Sequence, residues 1–153
     1  MLNDDYREIL QGLLERDVRF LVVGAYAMAA HGYPRSTGDI DIWVEPSEEN
    51  SRKIYEALAK FGAPLKDITQ ETFVRKGLIF QIGVQPRRID VITEIDGVDF
   101  GKAYVKRELI LIDGLKIPFL SLQDIIKNKK ATGREKDQLD VIYLSKVRKK
   151  KSS

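Results

Sequence analysis

Asp39 and Asp41 flank Ile40 at the head of the apolar stretch Ile40–Glu45 (IDIWVE). Aspartate is disfavoured in strands, so two in one short strand call for a reason. Alternation along a strand puts residues i and i+2 on one face, so the two carboxylates project side by side while Ile40 and Ile42 point the other way. Neighbouring carboxylates repel unless a cation lies between them, and a hard cation such as magnesium takes oxygen ligands of this kind. An isolated Asp-x-Asp is also common at the edge of a surface strand, and the surrounding residues shift the balance. Upstream, the apolar run Val18–Val23 stops at Gly24-Ala25, where a helix starts at once. Glycine at such a turn lets backbone N–H groups approach an anion at the helix N-terminus. Downstream, Arg88-Ile89-Asp90-Val91-Ile92 sets a third acid in another apolar strand. If the two acid-bearing strands are neighbours, a phosphate-cradling turn and three strand-borne carboxylates meet the needs of two-metal phosphoryl or nucleotidyl transfer.

The elements that must position these residues can be read from periodicity. Tyr6, Ile9, Leu10, Leu13 and Leu14 recur at helical spacing over residues 4–16. Val18–Val23 predicts a buried strand and Ala25–Ala30 a short helix ending at His31-Gly32. Pro46-Ser47 stops the Asp-bearing strand and caps a helix that runs to about Phe61. Leu78–Ile82 and Arg88–Thr93 predict two more strands, and ELILIDGLKIPFL a hairpin around Asp113-Gly114. Ser121 to Asp124 has the form of an N-cap for a helix reaching about Lys130, and a last helix follows Gly133 to about Lys149. The order predicts a mixed sheet with helices packed on it.

Composition narrows the chemistry. The 153 residues fit one domain, residues 1–147, followed by a basic tail, 148–153, expected to be frayed and solvated. The absence of cysteine excludes disulfides, thiolate metal sites and cysteine nucleophiles. A single histidine, His31, argues against a multi-histidine metal centre or a Ser-His-Asp hydrolase, and its place at a helix end fits a structural cap. No apolar run approaches the roughly 20 residues that span a bilayer, and the acidic start MLNDDYREIL differs from a signal peptide. The expectation is a cytoplasmic protein without membrane contact. The net charge of +3 conceals a split: residues 1–124 carry 16 basic against 20 acidic side chains, and residues 125–153 carry 10 against 3.

The stretch VVGAYAMAAHGYPRSTGDIDIWV, with RIDVIT, IPFLSLQDIIKNKKATGREKD and QLDVIYL, resembles the polymerase-β-like nucleotidyltransferase superfamily. Within it the chain is similar to a branch of small bacterial and archaeal members, close to lincosamide-type antibiotic nucleotidyltransferases and to the nucleotidyltransferase partners of toxin–antitoxin pairs. The resemblance covers about residues 10–145 and implies an α/β (α+β) nucleotidyltransferase fold. It implies that Asp39, Asp41 and Asp90 hold magnesium (or manganese) against a nucleoside triphosphate, with Asp90 helping to deprotonate the acceptor. It further implies that Gly24 and Ala25 cradle the terminal phosphates. Ala25 departs from the Gly or Ser usual there, which keeps the backbone N–H and drops a hydroxyl contact.

Arg35 and Thr37 lie in the loop entering Asp39 and are expected to contact phosphate or orient the acids. Lys129 and Arg134 flank Ala131-Thr132-Gly133 and are expected to form a positive clamp for the leaving pyrophosphate. Asp137 and Asp140 fit ion pairs with nearby basic residues better than metal ligands, and Trp43 and Tyr26 fit the core or its rim better than a base-stacking platform. The acceptor stays open among a small-molecule hydroxyl, a protein side chain and an RNA end. About 30 residues of C-terminal helix leave little room for an acceptor domain, which points to a partner subunit or second copy of the chain helping to shape the site. The alternative reading is a non-catalytic, antitoxin-like binding protein that keeps the fold. An RNA-binding module led by the basic end is a third, with no aromatic residue among the final lysines to stack bases.

Overall fold

The computed structural model describes residues 2–33 and 38–152. In chain order the elements are α1 (Asp4–Glu15), β1 (Phe20–Val23), α2 (Gly24–Ala30), β2 (Ile40–Val44), α3 (Glu48–Phe61), β3 (Ile79–Ile82), β4 (Ile89–Ile92), α4 (Phe100–Val105), β5 (Glu108–Ile112), β6 (Leu115–Phe119), α5 (Leu122–Thr132) and α6 (Glu135–Ser152). A single 3-10 turn, Thr72–Val74, precedes β3. The strands form one mixed sheet in the order β3-β4-β2-β1-β6-β5. Strand β2 runs antiparallel to β1 and parallel to β4, while β6 lies parallel to β1 on its other side.

The local chemistry explains these boundaries. Asn3, Ser47 and Ser121 each accept a hydrogen bond from a backbone N–H of the first helical turn they precede, satisfying a donor that has no partner inside the helix. Gly62 and Gly133 end α3 and α5 in the left-handed conformation that glycine adopts without penalty. The β5–β6 hairpin turns on Asp113 and Gly114, both at positive φ, as a two-residue primed turn requires. Asp113 also fastens the hairpin to α1, accepting from the Leu2 N–H at 2.9 Å on its carboxylate and from the Arg7 guanidinium on its carbonyl.

Packing uses both faces of the central strands. Ile40, Ile42 and Val44 alternate with Asp41 and Trp43 along β2, and all but Asp41 are buried. On the Asp41 face, Trp43 packs edge-on against Phe100 of α4 with ring centroids 4.9 Å apart, and Phe100 stacks on Tyr104. Trp43 is therefore a core residue, as its sequence context suggested. Burying a side chain of this size contributes about 2–3 kcal/mol.

Two elements differ from expectation. Helix α4 escaped the sequence reading because it has six residues, one of them Gly101, too few for a 3.6-residue period to register. Helix α6 continues through the basic segment to Ser152, past the expected end near Lys149. VRKKKS contains no Gly or Pro to stop it, and cations at a helix C-terminus favour the dipole. No helix among the described residues is long and apolar enough to cross a membrane.

Candidate active site

Strand register brings the acids together. Asp41 faces Asp90 across the parallel β2–β4 pair and Val23 across the antiparallel β1–β2 pair. The residue after Val23 is Gly24, the first of α2, so the β1–α2 turn meets the same carboxylate. Gly24 has φ +69°, and a Cβ placed there would run into Oδ2 of Asp41. Glycine is thus required twice at this position, by the backbone and by the close approach of the acid. Val23, the N-cap of α2, gives no side-chain hydrogen bond to the helix's first turn.

Arg88 is not among the residues expected at the site, yet its guanidinium lies at the centre of the acids. Nε and Nη2 donate to the two oxygens of Asp90 at 2.8 and 3.2 Å, and Nη2 also lies 3.3 Å from Oδ2 of Asp39. The Arg88 backbone N–H donates to Oδ1 of Asp39 at 3.0 Å, and Gln85 Nε2 to its Oδ2 at 3.2 Å. Its hydrogen bonds to Asp90, together with the nearby charges of Asp39 and Asp41, hold the Arg88 guanidinium above its usual pKa. A signal existed, since Arg88 precedes Asp90 by two residues and therefore shares its face of the strand.

Asp41 is left among its acidic neighbours. Burial, then the charge of Asp90 and a hydrogen bond shared with it, then the charge of Asp39, push its carboxyl up to about 6, while Arg88 pulls it down. A carboxylate disfavoured by two others is the electrostatic setting that a divalent cation relieves. The chemistry of the donor set therefore fits magnesium or manganese. Among the described residues, however, no three acidic or histidine side chains converge as a ready-made metal-holding group.

Tyr6 supports the site from behind. Its hydroxyl hydrogen is shared between the carbonyls of Gly38, at 2.8 Å, and Arg88, at 3.1 Å, the residues that lead into Asp39 and into β4. Burial, the nearby Tyr26 and then Asp39 and Asp90 push its pKa up to about 12, so it remains a neutral donor. These contacts span 32 and 82 residues of sequence, which is why no local pattern reveals them. Tyr6→Phe leaves both carbonyls without this donor and is expected to cost about 1–2 kcal/mol, read as a lowered midpoint in urea denaturation. An unchanged midpoint would show that Tyr6 is only packing.

The other expected site residues divide. Arg35 and Thr37 lie outside the described residues. Lys129 pairs with Asp137 at 3.0 Å and Asp140 at 3.5 Å, and Arg134 with Asp137 at 2.9 Å. Their partners are these buried α6 acids and not the three strand acids. Burial disfavours the charged form of Asp137, but hydrogen bonds from Thr132 and Lys129 and the charges of Lys129 and Arg134 outweigh it and lower its carboxyl to about 2. Asp137 and Asp140 are thus ion-pair partners, and the Tyr33 hydroxyl donates to Asp140 at 2.6 Å. His31 ends α2 and donates from Nε2 to the Leu120 carbonyl at 2.9 Å, a structural role.

A six-stranded mixed sheet with acids on adjacent strands beside a strand–glycine–helix turn defines the class as a nucleotidyltransferase fold. A family profile described as "Nucleotidyltransferase of unknown function (DUF6036)" matches residues 2–150, and the chain belongs to that family. Among solved structures, the chain is similar to the proposed nucleotidyltransferase TM1012 of Thermotoga maritima, with 21% identity, a TM-score of 0.64, and coverage of 95% of this chain and 96% of that one. It is also similar to the antibiotic-resistance factor ANT(2'')-Ia, with 17% identity, a TM-score of 0.52, and coverage of 80% and 66% respectively. JHP933 of Helicobacter pylori matches at 16% identity with a TM-score of 0.50, over 93% of this chain and 63% of that one. At these identities the likeness is one of fold. Among curated proteins, none matches the chain.

Proposed function

We propose that this chain transfers a nucleoside monophosphate from a nucleoside triphosphate to a hydroxyl acceptor, with magnesium or manganese held by Asp39, Asp41 and Asp90. The observation that carries this reading is the register that sets Asp41 opposite Asp90, with Gly24 pressed against Asp41. Bound there, the divalent ion neutralises phosphate charge and lowers the pKa of the attacking hydroxyl. The N–H groups of Gly24 and Ala25, at the start of α2 where Val23 offers no side-chain cap, are the donors for the terminal phosphates. Asp90 accepts the acceptor proton as the new bond to the α-phosphorus forms and the bond to the β-phosphate breaks, releasing pyrophosphate. Arg134, whose side chain is 73% exposed against 14% for Lys129, is the freer of the two clamp cations to leave its ion pair for that product. A triphosphate donor of this kind is in keeping with the cytoplasmic location expected from the sequence.

The acceptor class is a small-molecule hydroxyl, a protein side chain or an RNA end. Incubating the protein with each α-labelled nucleoside triphosphate, magnesium and a cell extract, then separating the three fractions, identifies both nucleotide and acceptor class. Label transferred in the wild type and absent in Asp90→Asn supports the reading. Absence of transfer from any of the four nucleotides overturns it and favours the non-catalytic partner reading.

A further inference from the structure

Arg88 occupies the place where a cation is needed. Its guanidinium bridges Asp39 and Asp90 from two adjacent strand ends. We infer that Arg88 is a built-in stand-in cation, and that a divalent ion enters the three acids by displacing its side chain, so that metal uptake is an exchange. This rests on the reading of Asp39, Asp41 and Asp90 as the metal-holding acids.

The backbone geometry permits the exchange without local unfolding. The Arg88 N–H holds Asp39, and the Arg88 carbonyl accepts from Ile40 N–H at 3.0 Å and from Tyr6. None of these contacts uses the side chain, so the guanidinium can leave while the strand ends stay fixed. The side chain is 25% exposed, against 18% for Asp39 and 11% for Asp90, which gives it a route to solvent from the mouth of the site. Three carboxylates facing one guanidinium leave net negative charge, and Asp41 lies outside the bidentate clamp that Arg88 makes on Asp90. A binding-competent state that is only partly populated weakens apparent affinity by that fraction.

The opposite arrangement, in which Arg88 pre-aligns the acids to receive metal, predicts the opposite sign. Free Mn2+ is measured by electron paramagnetic resonance during titration of the full chain, without nucleotide, at pH 8. Exchange predicts that Arg88→Met binds Mn2+ roughly tenfold tighter than wild type. Arg88→Lys, which keeps the charge and loses the two-pronged geometry, is expected between the two and covers the case in which the Met variant does not fold. Mn2+ affinity that is equal or weaker in both variants overturns the exchange while leaving the metal site standing. If neither wild type nor any variant binds Mn2+, the metal-site reading falls and this inference with it.

Discussion

Asp41→Asn is expected to lower nucleotidyl transfer by about a thousandfold or more while making the metal-free protein more stable at neutral pH. The loss of activity follows from removing the carboxylate that stands between Asp90, Asp39 and the β1–α2 turn. The gain in stability follows from the same position. Burial and two acidic neighbours raise the Asp41 carboxyl from 3.8 to about 6, so the folded chain holds this proton more tightly than the unfolded chain. The favourable contribution is fully present below about pH 4, where both states are protonated. It is lost as pH rises through about 6, and the loss is at most about 3 kcal/mol. Melting temperature in a chelator between pH 4 and 8 should therefore fall more steeply for wild type than for Asp41→Asn, with the variant ahead at pH 7.5. A variant that melts below wild type at pH 7.5, or that retains transfer, would contradict this account of the acid.

Gly24→Ala should damage the fold and the site together. The position requires φ +69°, which costs an L-residue about 1–2 kcal/mol, and the new methyl group meets the Asp41 carboxylate. Relief requires Asp41 to turn away or the start of α2 to shift, for a total of about 2–4 kcal/mol. Gly12→Ala provides the contrast. Gly12 lies inside α1 with open space around its Cβ position, and the change is expected to stabilise by about 0.5–1 kcal/mol. The origin of the Gly24 penalty can be separated by a cycle with Asp41→Ala, which removes the atoms the methyl meets. In that background Gly24→Ala should retain the backbone cost and lose the collision. Equal costs in both backgrounds would show that only the dihedral angle matters.

These two residues also show what a local reading can reach. The two aspartates on one face of β2, the helix beginning at Gly24 and the caps at Ser47 and Ser121 were all legible, because each depends on residues within a few positions of one another. The hairpin at Asp113-Gly114 was legible for the same reason. The pairing of Asp137 and Asp140 with nearby basic residues is legible too, and the fold supplies Lys129 and Arg134 as their partners. The short α4 carries no periodic signal, and its Phe100 is recognisable as core only beside Trp43.

Residue types, the faces on which they lie and the turns that stop each element are legible in the chain alone, since side-chain alternation, capping and backbone permissiveness are short-range effects. That β4 lies parallel beside β2, in the register that puts Asp90 opposite Asp41, is settled only in the assembled sheet. The assembled fold also brings the Arg88 guanidinium among the acids and lets Tyr6 from the first helix brace both strand entrances. Those outcomes depend on which elements pack together, which is settled by burial and hydrogen-bond satisfaction summed over the whole chain.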